Sequence, residues 1–451
     1  MSSELIAQAL NTATETQEII FGEHVVDQTG EVFSRLFPGA RAIIVADDNT
    51  YKVAGEAVTS SLAKAGVTMV DPYVFPGTPT LYAGYDNVEV LREYLRRLDN
   101  VIVCSIAAGT LNDIAKLASG ELGRKYMNVC TAASVDGYAS FGASISKDGF
   151  KITRECPAPA GLIVDTEIMA KAPERLTATG YGDLIEKIPA GADWILADLL
   201  GIEAIDPYVW TLVQNPLGQA LDSPEHIATK DVAAIGALAE SNVMSGLAMQ
   251  AMQSSRPASG AGHQFSHVWE MQGHGLDWEP PLSHGFKVGV GTVASCALWE
   301  EALAIDMNEL DIDAIVASAP SDEEVEIRVR EALEPRIAEE AVKHSIAKNL
   351  HGDELRNRLI TIQKMWPRIT EQARAQLITP EDAAQRLDIV GAPSHPSEIK
   401  IDWDRFRKTH FQAQMIRPRY TILDLLADTG LLEQTVDRLF SPEGYWGKRG
   451  Q

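Results

Sequence analysis

The sequence predicts a parallel α/β sheet over residues 1–170 followed by an all-helical domain over residues 171–451. Three observations predict this. Between residue 41 and about residue 165, short β-rich runs alternate with helical patterns. Strand–helix alternation favours a parallel sheet with helices on its faces. From about residue 173 onward β-branched runs become few, and Ala/Leu/Glu-rich stretches such as 227–253 and 323–349 take over. The 451 residues are also enough for two or three domains at roughly 100–200 residues each.

The elements follow in order. Ala42-Ile43-Ile44-Val45-Ala46 reads as a buried strand that ends at Asp47-Asp48. Tyr51 to Ala65 reads as a helix with Gly66 as its stop. Val67 to Phe75 is expected as a second strand and Val88 to Leu98 as a charged helix. Val101-Ile102-Val103-Cys104 is a third strand running into the small-residue turn Ala107-Ala108-Gly109-Thr110, after which Leu111 to Leu117 is helical. Met127 to Thr131 is a fourth strand. Pro173 is placed to begin a helix, where its missing N–H is not needed. The stretch 389–402 reads as a loop, with helices resuming at Trp403 and over Leu423 to Leu439. The highly charged 320–375 stretch is expected to be an insertion or a surface helix pair.

Composition excludes several classes. There are 63 acids against 39 Lys plus Arg, a net charge of −24. Nucleic acid and anionic membranes need a positive surface, so neither is expected as a partner. An anionic small substrate needs only a local positive pocket. The four cysteines, Cys104, Cys130, Cys156 and Cys296, form no C-x-x-C pair, so neither a thiolate zinc site nor a disulfide framework is expected. That usage suits a reducing cytoplasm. Met1 to Ile20 lacks the basic start and apolar run of a signal peptide, and no run approaches the ~18 apolar residues of a membrane span.

Ten histidines occur, four of them between 263 and 284. His263 and His267 are four apart and share one face of a helix. A zinc-protease pattern would need Glu at 264, where Gln264 stands. Ser283-His284-Gly285 follows, and an acid lies in Gly180-Tyr181-Gly182-Asp183. A catalytic metal needs three protein ligands and an open position. Helix capping and core hydrogen bonds would use such histidines equally well, but their neighbours are Gly, Ser and Gln and not an apolar stripe. The turn at 107–110 opens a helix and is suited to a phosphate at backbone N–H groups. It is equally compatible with an ordinary β–α turn. The run Thr131-Ala132-Ala133-Ser134-Val135-Asp136-Gly137-Tyr138-Ala139-Ser140 follows a strand, at the edge where open α/β sheets collect ligands.

Taken together these segments resemble the sn-glycerol-1-phosphate dehydrogenases, within the wider group of iron-containing alcohol dehydrogenases, glycerol dehydrogenases and dehydroquinate synthases. The resemblance rests on Gly109 to Asp113, Thr131 to Ser140, Gly182-Asp183-Leu184, Ser254 to Gly260 with His263 to Met271, and Ser283-His284-Gly285. It continues at Gly391 to Pro396 and Arg419 to Asp424, so it spans most of the chain. It implies a Rossmann-like first domain and a dehydroquinate synthase-like fold. It implies that Asp183, His263 and His284 hold a divalent metal (zinc, nickel or iron) and that Asp136, Asp183 and His267 contact substrate. Asp47 would hold the adenosine ribose, and Ala107, Ala108, Gly109, Thr110 and Leu111 the pyrophosphate. Thr131, Ala132, Ala133, Ser134 and Ser140 would complete the NAD or NADP site. An acid at 47 would favour NAD, since it repels a 2′-phosphate.

The reaction so implied is the interconversion of dihydroxyacetone phosphate and sn-glycerol 1-phosphate by a homodimer or larger homo-oligomer. Lys116, Lys187 and Arg256 are the basic groups from which a phosphate ligand would be drawn. Three readings stay open beside it: a dehydrogenase of another polyol or alcohol, a dehydroquinate synthase-like lyase, and a non-catalytic metabolite sensor. Three departures from the family pattern matter, one being that the charged 320–375 stretch is longer than the family needs. Ala107-Ala108 replaces a glycine-rich turn, and each methyl narrows the approach to a phosphate. Gly262 stands where a glutamate is expected beside the histidine, which removes one partner for the metal site.

Overall fold

The computed structural model describes residues 2–147 and 150–450. A six-stranded sheet is built from β1 (Glu18–Gly22), β2 (Arg41–Asp47), β3 (Tyr73–Phe75), β4 (Val101–Ala107), β5 (Tyr126–Cys130) and β8 (Gly161–Asp165). Between β5 and β8, β6 (Ala143–Lys147) and β7 (Phe150–Arg154) form an antiparallel pair. The six-stranded sheet has the order β1-β8-β5-β4-β2-β3, and its neighbours pair in parallel.

Alternation along the strands explains why helices cover both faces. Successive side chains point to opposite sides of a sheet. Ile43 and Val45 of β2, with Val101 and Val103 of β4, join one core beneath the helices Tyr85–Arg96 and Gly109–Gly120. Ala42, Ile44 and Ala46, with Cys104 and Ile106, join another beneath Thr29–Leu36 and Asp48–Lys64. Both faces are buried, so the strands read as continuous apolar runs.

The sequence expectations hold for β2, β4 and β5 and for their helices, and fail at the margins. The expected strand over Val67 to Phe75 shortens to Tyr73–Phe75, with one isolated bridge at Met69. β1 and β8 were not foreseen, although β8 is buried throughout and separates β1 from β5. The 323–349 stretch is two helices, Asp322–Ala332 and Pro335–Lys348, because Pro335 opens a new first turn. Leu423 to Leu439 divides into Ile422–Asp428 and Leu432–Phe440 at Gly430, whose φ is +70°.

Beyond β8 the described chain is helical. The charged 320–375 stretch is not a loose surface pair. With the helix Gly352–Gln376 it buries Val329, Ile337, Leu359, Ile362, Trp366 and Ile369 in the main helical core. Charges occupy the opposite faces, as the helical period allows. One helix, Val232–Met252, is long and apolar enough to cross a membrane, although no such run was expected from the sequence; 78% of its most apolar window is buried inside the protein.

Candidate metal centre and active site

Three helices carry the site, and close contacts at glycine bring them together. Asp183 lies in the helix Glu174–Leu184, His263 in Ala261–Met271, and His284 opens His284–Leu303. A Cβ on Gly182 would lie 2.6 Å from the carbonyl oxygen of Gly285. One on Gly285 would lie 1.9 Å from the carbonyl oxygen of Thr179. The two helices therefore touch backbone to backbone, which sets Asp183 beside His284. The space at Gly285 is filled by that neighbouring helix.

One ligand atom from each of Asp183, His263 and His284 lies within 4.8 Å of the other two. His263 Nδ1 is 2.7 Å from Glu186 Oε2, and His284 Nδ1 is 2.9 Å from Glu270 Oε1. A carboxylate on Nδ1 fixes the proton there and presents Nε2, with its lone pair, as a metal ligand. The donor set thus fits a divalent ion of the borderline type, and zinc, nickel and iron all accept two imidazoles and a carboxylate.

Glu186 answers the expectation raised by Gly262. A Cβ at 262 would lie 2.7 Å from Glu186 Cγ and 3.1 Å from the backbone of Gly291 and Thr292. No glutamate fits there, and the carboxylate comes instead from residue 186, three positions after Asp183. Glu186 also accepts from the backbone N–H of Gly260 at 3.0 Å. Sequence reasoning missed both Glu186 and Glu270. The acid three residues after a ligand, at 183/186, and three after His267, at 267/270, was the signal available.

Asp136 joins the cluster. Its backbone N–H donates to Asp183 Oδ2 at 3.3 Å. Its own Oδ2 takes Ser245 Oγ at 3.1 Å and Lys187 Nζ at 2.8 Å. Lys187 Nζ also meets Asp183 Oδ1 at 3.1 Å. His267 places Nδ1 3.3 Å from Glu270 Oε2, and its ring centroid is 6.0 Å from those of His263 and His284.

The electrostatics follow from burial and these partners. Burial opposes the charge on His263, but Glu186 and Asp183 outweigh it and raise its pKa to about 9. Burial also opposes ionisation of Asp183, yet Lys187 and the two imidazoles hold its pKa well below the ordinary carboxylate value. Burial wins at His267 and lowers its pKa to about 3, so that ring is neutral.

The three basic groups expected to meet a phosphate are all spoken for. Lys116 Nζ donates to the carbonyls of Gly137, Ser140 and Gly142 at 2.8, 3.0 and 3.1 Å. Lys187 is locked between Asp136 and Asp183. Arg256 donates to the carbonyls of Asp193 and Tyr420 and pairs with Glu203. Each is almost fully buried, and their role is to hold backbone and acids in place.

The other expected residues line the carboxyl edge of the sheet. Asp47 ends β2, and its Oδ1 caps the next helix by accepting from Asn49 and Thr50. Ala107 ends β4, and the helix Gly109–Gly120 begins two residues later. Ala107 packs into the core, so the concern that its methyl narrows a phosphate site falls on Ala108 alone. Thr110 is exposed and Leu111 buried. Thr131, Ala132, Ala133 and Ser134 follow β5 and are buried. Ser134 Oγ is 3.3 Å from Tyr138 Oη, and Ser140 Oγ donates to the Gly137 carbonyl at 3.0 Å. Strands β2 and β4 are adjacent, with the chain leaving to β3 on one side and β5 on the other. That is a topological switch point, the place where doubly wound sheets open a ligand crevice.

Comparison with known proteins agrees with this architecture. The crystal structure of a probable glycerol dehydrogenase from Sinorhizobium meliloti 1021 is similar with a TM-score of 0.57 at 16% identity, over 93% of this chain and 97% of that one. At that identity the likeness speaks for the fold alone. A family model described as iron-containing alcohol dehydrogenase matches residues 20–173. Glycerol-1-phosphate dehydrogenase [NAD(P)+] of Halalkalibacterium halodurans is 35% identical over 258 residues, 57% of this chain and 64% of the relative's length. The protein of the same name from Methanosarcina barkeri is 32% identical over 289 residues, 63% of this chain and 78% of its own. The chain belongs to the iron-containing alcohol dehydrogenase family, and these relatives place it beside the members named glycerol-1-phosphate dehydrogenase.

Proposed function

We propose that this protein is a metal-dependent, NAD(P)-linked oxidoreductase that interconverts dihydroxyacetone phosphate and sn-glycerol 1-phosphate. Residues 1–170 would bind the dinucleotide and residues 171–451 the metal and substrate. The observation that carries the reading is the convergence of Asp183, His263 and His284, two of them backed by buried carboxylates. The names of the relatives supply the substrate.

Asp183, His263 and His284 would hold a divalent ion that would supply Lewis acidity to the substrate oxygen, and a bound dinucleotide would supply or take the hydride. The remaining work belongs to the chain. Asp136 has Oδ2 committed to Lys187 and Ser245, which leaves Oδ1 to accept from a substrate hydroxyl. His267 keeps its proton on Nδ1 against Glu270 and offers Nε2 as a second acceptor. Because burial keeps that ring neutral, it orients a hydroxyl without adding charge. Ala108 to Leu111 present backbone N–H groups at a helix start for the pyrophosphate.

The commitment of Lys116, Lys187 and Arg256 to internal partners favours one second reading, a polyol dehydrogenase whose substrate carries no phosphate. A single assay separates the two. With reduced nicotinamide and the metal-loaded enzyme, dihydroxyacetone phosphate is expected to give kcat/KM at least about 100-fold above dihydroxyacetone. Equal values for the two would select the second reading. Full turnover after the metal is stripped would overturn both.

A further inference from the structure

If the substrate is a phosphate ester, as proposed above, an anion-binding group must stand near His267, and none of the three basic residues considered so far is free. We infer that Arg417 is that group. The assignment rests on the proposed reaction but not on the resemblance, which carries no role for this residue.

Arg417 follows the helix Trp403–Met415, and the strip from 417 to 421 is laid against the helix that carries His263 and His267. Four hydrogen bonds hold it there, two with Gln264 of that helix and two with the segment just before it. Gln264 Nε2 donates to the Arg419 carbonyl at 3.5 Å, and Thr421 Oγ1 donates to Gln264 Oε1 at 3.4 Å. The Arg419 guanidinium donates to the Ser259 carbonyl at 2.9 Å and to Ser255 Oγ at 2.8 Å. Arg419 is therefore an anchor of the strip, as Arg256 is an anchor of the core.

Arg417 differs from both. It is half-buried, yet among the described residues its side chain has no hydrogen bond and no ion pair. The nearby Arg405 is tied to Gln272 and His274. The charge of Arg417 bears on the catalytic cluster: it weighs against a proton on His267, and Glu270 is the acid that favours it. It also bears on His344 of the Pro335–Lys348 helix. A guanidinium stays charged in proteins, and withdrawing it from water without a partner is costly. A phosphate dianion, gripped by two parallel N–H groups, removes that cost and sets the triose beside His267 and Asp136.

The test uses the full-length, metal-loaded enzyme and two variants, Arg417→Gln and Arg417→Lys. For Arg417→Gln the KM for dihydroxyacetone phosphate should rise about 30-fold or more, with kcat changed only a few-fold and kinetics on dihydroxyacetone unaltered. Competitive inhibition of the wild type by inorganic phosphate should weaken in parallel. Arg417→Lys keeps the charge but not the fork and should fall between the two; it carries the test alone if the glutamine variant does not fold. A variant that keeps both the wild-type KM and the phosphate inhibition would overturn the assignment and leave the proposed reaction standing. A wild type that neither prefers the phosphorylated triose nor is inhibited by phosphate would overturn both.

Discussion

At the scale of single residues, the site is organised by acids that stand behind the candidate metal ligands. Glu186 is the clearest case. Its carboxylate raises the pKa of His263 to about 9 in the metal-free protein, after burial is overcome. Below that pH a proton occupies the ring and competes with the metal, so wild-type metal affinity should rise roughly tenfold per pH unit up to about 9 and then level. In Glu186→Gln the ring loses the partner that favours its proton, and that pH dependence should flatten. It also loses the interaction that orients it, which typically costs 10–100-fold in affinity. The two effects oppose one another at low pH. The variant should therefore bind zinc about 10–100-fold more weakly at pH 9, with the gap closing towards pH 6. Zinc titrations across that range check this, and a gap that is constant with pH would show that Glu186 does not set the His263 proton. The ligands were legible in sequence because His263, His284 and Asp183 sit in distinctive runs. Glu186 was not, because it acts from the turn between two helices, 77 residues before the histidine it supports.

At the scale of elements, glycine decides which helices touch. Gly180 is one turn before Asp183 on the same helix, and a Cβ there would lie 1.9 Å from the Ala133 carbonyl oxygen and 3.0 Å from Ser134 Cα. Backbone cannot yield as a flexible side chain does. Gly180→Ala should push the 131–140 run away from the Asp183 helix, at a cost of about 1–3 kcal/mol. It should raise the dissociation constant for NAD(P)H about tenfold or more while metal stoichiometry is retained. Fluorescence titration of the dinucleotide together with metal analysis measures both, and unchanged cofactor binding would mean that this contact is slack. The helix and strand types were readable from periodicity, since β2 alternates between two cores and Asp47 caps its helix. β1 was not readable, because its five residues lie within a polar segment and become a strand only by pairing with β8.

At the scale of the molecule, the candidate ligands come from three helices separated by as many as 101 positions, from Asp183 to His284. A metal that binds only when all three are assembled stabilises the folded state by mass action. The midpoint of thermal unfolding should rise with zinc concentration, by several degrees once zinc exceeds its Kd about 100-fold, and His284→Ala should abolish the shift. A shift that survives this substitution would place the zinc elsewhere. The surplus of acids, net −24, makes the local positive charge at Arg417 stand out, whereas Lys187 is buried against Asp136 and Asp183.

The sequence carried the class of fold, the change from sheet to helices after about residue 165, and, through its resemblance to a family, the candidate ligands that the structure brings together. Each of these is written locally, in hydrophobic period, turn chemistry and short runs of unusual composition. Only the tertiary structure decided which charges remain free. Lys116, Lys187, Arg256 and Arg417 are equivalent in a sequence, since each is a cation near a recognisable run. Folding buries the first three against carbonyls and acids and leaves Arg417 half-exposed without a partner. Hydrogen-bond satisfaction is a property of the whole packed interior, and no local pattern records it.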